Sequence, residues 1–375
     1  MTLFIGLMSG TSMDAVDAAL ADLSDDSPVL RGSAGLPLPA ELRGELLNLH
    51  RSRDNALEQL TRLDVEVGRL FAAAVHTLLQ KTGVDATQVT AIGSHGQTVY
   101  HQPSGPYPTS VQIGDPNLIA ELTGITTVAD FRRRDIAAGG QGAPLVPAFH
   151  SAVFRSAEKE RVILNIGGIA NITILPADQG QAVSGFDTGP GNALMDSWAL
   201  EHLGTPRDED GQWAASGTVN NHLLAALLDA PYFALPPPKS TGREHFNLDW
   251  LREAMENAGI KYLPPQDVQA TLCELTASSI TRSISDFAPQ AQQILVCGGG
   301  AHNKTLFQRL ATLNSSREVA PTTAFGIDPD WVEAMAFAWL AKQTLEGKPG
   351  NLPSVTGARR EVVLGGVYPG RNQSA

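Results

Sequence analysis

Short apolar runs alternate along this chain with longer stretches of helical spacing. Leu3-Phe4-Ile5 leads into a glycine turn and then Val16-Asp17-Ala18-Ala19-Leu20, which reads as strand, turn and strand. Between Ala56 and Thr82 the positions Leu60, Leu63, Val67, Leu70, Phe71, Val75, Leu78 and Leu79 keep the period of a helix with one buried face, and Gly83 supplies its stop. Residues 89–94 and 125–129 read as strands, and between them Asp115-Pro116 opens a short helix that Gly124 ends. Strands alternating with helices predict an α/β fold.

Val162-Ile163-Leu164-Asn165-Ile166 followed by Gly167-Gly168 and Ile169-Ala170-Asn171-Ile172-Thr173-Ile174-Leu175 repeats the opening pattern. Two glycine-turn hairpins, each heading an α/β segment, predict two similar lobes rather than one sheet. We place the boundary near residue 130, giving an N-terminal lobe 1–130 with a phosphate-binding hairpin and a C-terminal lobe 131–375. Helical patterns follow at 192–203, 219–228, 248–258 and 266–287, then a strand at 294–297 and a helix from about Asn303. Asp328-Pro329 is a cap and first-turn pair for a helix running to about residue 346. The Leu235-Pro236-Pro237-Pro238-Lys239 stretch reads as a stiff loop.

Composition narrows the function. The 375 residues carry 27 Lys and Arg against 39 Asp and Glu, a net charge of -12, which is the wrong sign for nucleic acid or an anionic membrane surface. Two cysteines, Cys273 and Cys297, build no disulfide framework or zinc motif, and no apolar run reaches membrane-spanning length, so a cytoplasmic protein is expected. Glycine is enriched, at 36 residues, and its clusters call for an explanation.

The sharpest cluster is Ser9-Gly10-Thr11-Ser12-Met13-Asp14 in the first hairpin turn. Glycine lets backbone N–H groups approach an anion, and the Thr11 and Ser12 hydroxyls add donors for phosphate; the plainer alternative is a tight hairpin. Gly167-Gly168 and Gly298-Gly299-Gly300 supply two further close backbone approaches, which a nucleotide held between two lobes would use. The P-loop, G-x-G-x-x-G and G-x-S-x-G patterns are absent from the sequence. His95 and His101 fall in a polar stretch expected to be a loop, at a spacing that suits no zinc motif, and read as packing residues. Asp187, in Gly185-Phe186-Asp187-Thr188-Gly189-Pro190-Gly191-Asn192, is a carboxylate held before a helix start. It reads as a general base for a kinase or as a turn carboxylate. Arg132-Arg133-Arg134 offers a clamp for a carboxylate or phosphate, or a solvated surface run. Glu333 reads as a ligand for metal or phosphate, or as a first-turn acid favoured by the helix dipole.

Five motifs in one order, Leu7 to Asp14, Gly93 to Thr98, Asn165 to Asn171, Phe186 to Asn192 and Pro237 to Glu244, closely resemble the anhydro-N-acetylmuramic acid kinases from the first strand to about Val367. The resemblance implies two similar lobes of the actin, hexokinase and Hsp70 (RNase H-like) type, with ATP and Mg2+ in a cleft between them. It implies phosphorylation of O6 of 1,6-anhydro-N-acetylmuramic acid while water opens the anhydro ring, giving N-acetylmuramic acid 6-phosphate and ADP in the recycling of cell-wall sugar. Carried onto this sequence, Gly10, Thr11, Ser12, Met13, Asp14, Ala15, Val16 and Asp17 form the ATP phosphate segment, with Gly167, Gly168, Gly298, Gly299 and Gly300 as further nucleotide contacts. Asp187 is the base, and His95, Gln97, Arg132 and Arg134 are substrate-binding candidates. The first-strand Asp of many wider relatives is replaced here by Gly6 and Leu7, leaving Asp14 and Glu333 as the metal candidates. The partners implied are ATP and an amino sugar, with a homodimer left open. Two alternatives are a sugar hydrolase that needs no ATP and an actin-like or chaperone-type ATPase; ATP consumption that depends on added sugar separates all three.

Overall fold

The computed structural model describes residues 1–10, 13–25, 27–49 and 56–371. They form two compact units, one made of Met1–Val153 with Trp331–Ala375 and the other of Phe154–Asp330. This differs from the expected boundary near 130 with a continuous C-terminal lobe. The last 45 residues return to the first unit because the helix Val332–Leu345 packs on its sheet.

The first unit begins with β1 (Leu3–Met8), β2 (Ala15–Asp22) and β3 (Val29–Pro37), paired antiparallel in sequence. β4 (Val89–Ser94) lies parallel to β1 on its other edge. β5 (Gln97–Gln102) and β6 (Thr109–Ile113) form a separate hairpin, so His101 stands in a strand rather than in the expected loop. β7 (Thr127–Ala129) is parallel to β4. The helix Ala56–Thr82 buries Leu63, Val67, Phe71, Val75 and Leu78, as its period predicts, and ends at Gly83 in the left-handed conformation. The helix Pro116–Thr123 is capped by the Asp115 carboxylate and closed by left-handed Gly124.

The second unit repeats this plan. β8 (Arg161–Ile166), β9 (Ile169–Leu175) and β10 (Ser184–Pro190) run antiparallel in sequence, and β11 (Gln293–Cys297) and β12 (Glu318–Pro321) add parallel strands beyond β8. Counted from its own first strand, each sheet has the order three, two, one, four, five, the first being completed by antiparallel β13 (Gly366–Tyr368) beside β7. Two similar lobes of α/β type are thus present. The core of the second unit packs Leu272, Leu275, Ile280 and Ile284 of the helix Pro265–Phe287 with Leu164, Ile172 and Val296 of the strands.

In the first unit β1 and β4 are crossed by the helix Val332–Leu345 at unusually close range. A Cβ at Gly6 would lie 1.7 Å from the Ala334 carbonyl oxygen, and one at Gly93 would lie 1.9 Å from that of Phe337. Only hydrogen fits at either position. This helix starts later than its Asp328-Pro329 signal, because Pro329–Trp331 form a 3-10 turn ahead of it. We predict that Gly93→Ala lowers stability by on the order of 3 kcal/mol, the upper range for overpacking, since backbone rather than a flexible side chain must yield. A urea midpoint within error of the parent would refute this account of the contact.

Candidate active site

In the first unit the β1–β2 turn is closed by the Met13 N–H donating to the Gly10 carbonyl at 3.2 Å, with Met13 in the left-handed conformation at φ 53°. Thr11 and Ser12 lie outside the described residues. Met13 and Val16 bury their side chains in the core, so any ligand contact from them is through backbone, whereas Ala15 and Asp17 are partly exposed along β2. Gln97 braces the turn from behind. Its Oε1 accepts from Ser9 Oγ at 2.8 Å, its Nε2 points to the Gly10 carbonyl at 3.4 Å, and its side chain is almost wholly buried. The carboxylate of Asp14 is exposed and paired with Arg43 at 3.1 Å.

The arginine run lies on a helix, Phe131–Ala137. Its three members separate accordingly. Arg133 pairs with Asp130, Arg134 faces outward, and Arg132 turns into the unit. The guanidinium of Arg132 donates from Nη2 and Nε to Nε2 of His95 at 2.8 and 3.1 Å, and from Nη1 to the Gly142 carbonyl at 2.8 Å. Because Nε2 accepts, His95 is neutral and carries its proton on Nδ1, which donates to the Gly96 carbonyl at 2.8 Å. Burial, aided by the neighbouring Arg132 charge, holds the His95 pKa well below the ordinary histidine value. Burial also pulls Arg132 down to about 10, against the opposing charges of Glu333 and Asp135, so it remains a cation at neutral pH. Phe337 stacks on the His95 ring at 4.7 Å.

Behind Arg132, the fully buried Asp135 fixes the Gly142 loop. One carboxylate oxygen accepts from the Gly142 N–H at 2.8 Å, and the other accepts from Asn351 Nδ2 and Thr356 Oγ1 at 2.7 and 2.8 Å. Ser9, Gly10, His95, Gln97, Thr98 and Arg132 line a cavity of about 220 Å³. The structure thus brings together the turn, His95, Gln97 and Arg132, and leaves Arg134 outside. Among the described residues no three His, Cys, Asp or Glu side chains gather closely enough to hold a metal by themselves.

In the second unit Asp187 stands on β10 where its register with β9 shifts, so that Asp187 faces Asn171 and Gly189 faces Ala170. A bulge at this point re-aims the side chain next to it. The Asp187 backbone is clamped at both polar groups, its N–H donating to the Lys239 carbonyl at 3.1 Å and its carbonyl accepting from the Tyr232 hydroxyl at 2.7 Å. One carboxylate oxygen accepts the Thr241 N–H at 3.0 Å. Burial raises the Asp187 pKa from 3.8 to about 6, a rise that the Thr241 hydrogen bond only partly opposes.

The glycine clusters of this unit divide by role. The carbonyls of Gly167 and Gly168 accept backbone N–H groups of Gly191, Asn192 and Ala193, which fastens the hairpin turn to the start of the helix Ala193–Leu203. The guanidinium of Arg243 lies against Gly168, where a Cβ would meet Nη2 at 3.1 Å. Gly298 and Gly300 are demanded by packing, since a Cβ there would strike Asn165 or Ile166 at 2.3 Å, while one at Gly299 would meet nothing within 4 Å. Of the triplet, Gly299 is the backbone left open to a ligand.

The model of the anhydro-N-acetylmuramic acid kinase family matches residues 2–370. The chain belongs to this family. Relatives in the family include kinases of Coxiella burnetii (strain Dugway 5J108-111), 54% identical over 367 residues covering 98% of this chain and 97% of the relative. Another, from Saccharophagus degradans, is 53% identical over 370 residues covering 98% and 99%. Both bear the name anhydro-N-acetylmuramic acid kinase. Membership of a kinase family leaves a sugar hydrolase or a chaperone-type ATPase without support.

Sequence reasoning gave no part to four residues that hold the candidate residues of the two units: Asp135 in the first, and Tyr232, Thr241 and Arg243 in the second. Thr241 and Arg243 stood inside a quoted motif, but no local pattern signals that the proline-rich loop returns to β10. Asp135 carries no local sign of its burial, which only the fold reveals.

The raised pKa of Asp187 has a stability consequence. Between pH 3.8 and about 6 the folded chain binds more protons at this position than the unfolded chain, so stability falls as pH rises through that window and the full cost is present above it. The cost is on the order of 3 kcal/mol at most. We therefore predict that Asp187→Asn melts no lower than the parent at pH 7.5 and flattens the pH dependence of Tm between 4 and 6. A Tm several degrees lower would make the carboxylate a structural group.

Proposed function

We propose that this kinase opens 1,6-anhydro-N-acetylmuramic acid with water and transfers the γ-phosphoryl group of ATP to O6, with Asp187 as general base. The observation that carries the reading is a single carboxylate, desolvated to a pKa of about 6 and steered by the Thr241 N–H through one oxygen, which leaves the other oxygen for a proton. Water attacks the anomeric carbon and its proton passes to Asp187. The bond from that carbon to O6 breaks, O6 bonds to the γ-phosphorus, and the bond from phosphorus to the β-phosphate oxygen breaks to release ADP. O6 is leaving group and nucleophile at once, so one base serves both bond changes.

Arg132 suits the lactyl carboxylate of the sugar. An arginine carries five N–H donors, of which His95 and Gly142 take three, and about two remain for a bidentate contact. His95 holds Arg132, and Gln97 holds the turn from which Gly10 to Asp17 would cradle phosphates. Backbone at Gly299 and the Gly167–Gly168 turn would meet the rest of the nucleotide. Mg2+ is bound in kinases by one or two carboxylates together with phosphate oxygens, and the exposed Asp14 and the Glu333 carboxylate are donors of that kind. When bound, it would neutralise charge on the transferring phosphoryl group. The products serve the recycling of cell-wall sugar.

The test is a purified Asp187→Asn variant given ATP and the anhydro sugar. Its kcat should fall by about 10²- to 10⁴-fold with both KM values near the parent's, because asparagine accepts the Thr241 N–H but cannot take a proton. In the parent, kcat should decline as pH drops through about 6, where the base protonates. Retained turnover in a folded variant would remove Asp187 from the mechanism. A second variant, Arg132→Lys, keeps the charge but loses the fork, and should raise KM for the sugar about tenfold or more while leaving KM for ATP unchanged. An unchanged sugar KM would refute the carboxylate clamp.

A further inference from the structure

Side chains alternate along β4, so Ser94, its last residue, faces away from the side on which the helix Val332–Leu345 covers Gly93. His95 packs against Phe337 and borders two cavities, that of the candidate site and a second of about 170 Å³ that Ser94 lines with Asp64, Gly114, Asp130, Arg133 and Tyr368. This second cavity lies where β4 and β7 end, and the carboxyl ends of parallel strands are where α/β sheets collect ligands.

Two features of the cavity are unexplained by folding. The Ser94 hydroxyl is 1% exposed and its Oγ has no hydrogen-bond partner among the described residues. Such a group costs free energy that an apolar residue of the same size would not. The second feature is charge. Both oxygens of Asp130 are taken by the Arg133 fork, at 2.7 and 2.5 Å, so that pair is neutral. Asp64 is bonded through Oδ1 to the Gly114 N–H at 2.7 Å, and burial together with the nearby Asp115 charge raises its pKa. The cavity therefore presents a partly desolvated carboxylate, an unsatisfied hydroxyl and a neutral ion pair.

We propose that this cavity is a second ligand site, separated from that of the candidate active site by His95, for a small hydroxylated amine whose ammonium group pairs with Asp64 and whose hydroxyl bonds to Ser94. Size sets the class. A cavity of about 150 Å³ accepts a six-atom ring, so the ligand here has roughly six to eight non-hydrogen atoms. An ammonium group is preferred over a neutral polyol because Asp64 lines the cavity, with Asp115 close enough to act on it, and the guanidinium in the lining, that of Arg133, is spent on Asp130.

The probes are 2-amino-1,3-propanediol and glycerol, which have the same number of heavy atoms and differ only in the ammonium group. Each is titrated into the full chain by ligand-observed NMR. The amine should bind saturably and about tenfold more tightly than glycerol, as expected for one charge-assisted hydrogen bond. Asp64→Asn should erase that difference while still accepting the Gly114 N–H, and Ser94→Ala should weaken both probes. The inference is overturned if neither probe saturates, if the two bind equally, or if binding is the same in both cavity variants. Should Asp64→Asn unfold, Ser94→Ala decides alone, since it removes only an unpartnered hydroxyl.

Discussion

The first unit depends on a contact that side chains would prevent. Gly6 on β1 and Gly93 on β4 leave a bare strip of sheet, and the helix Val332–Leu345 lies on it so closely that its carbonyls occupy the space of the missing Cβ atoms. That approach brings Phe337 onto His95 and Phe131, and places Glu333 where its charge is felt by Arg132. It also explains why residues 331–375 belong with the first unit although the second interrupts the chain. A carboxylate, like any side chain, is physically barred at Gly6.

The two sheets share one strand order but use their hairpin turns differently. In the first unit Gln97 holds the turn from behind and Asp14 is carried outward. In the second the Gly167–Gly168 turn is bonded to the start of the next helix, and the buried carboxylate, Asp187, stands on β10. A repeated topology therefore supplies two similar frames on which different loops carry different functional groups.

Much of this was legible in the sequence because it rests on local rules. The long helix and its Gly83 stop, both glycine-turn hairpins, the Asp115-Pro116 start and the repeat itself follow from period, caps and turn chemistry. What was not legible depends on distant partners. The 131–137 helix has no local signature because three arginines carry no apolar period, and only the burial of Phe131, Asp135 and Ile136 defines it. His95 read as a packing residue, and it does pack, but its second role as acceptor for Arg132 requires knowing that residues 95 and 132 meet. The domain boundary failed for a similar reason: no pattern in residues 331–375 says which sheet they will cover.

Charges in this chain are met in two ways. Some are neutralised by counterions, as in the bidentate Arg309 to Glu274 pair and the Arg31 to Asp22 contact, where bonds from Ser24 and Arg31 hold the Asp22 carboxyl far below its ordinary range; others, such as the structural Asp135, have only neutral hydrogen-bond partners. The hydrogen-bond partners of Arg132 and Asp187 are neutral groups: a histidine ring and a carbonyl for one, a backbone N–H for the other. A neutral partner fixes direction without quenching charge, so each group keeps an electrostatic demand that burial makes stronger. The result is visible in opposite shifts of one origin, with burial pulling the arginine down and pushing the carboxylic acid up. Folding alone would favour relieving both. Their persistence is what a site needs if a substrate carboxylate is to meet the arginine and a proton is to meet the aspartate.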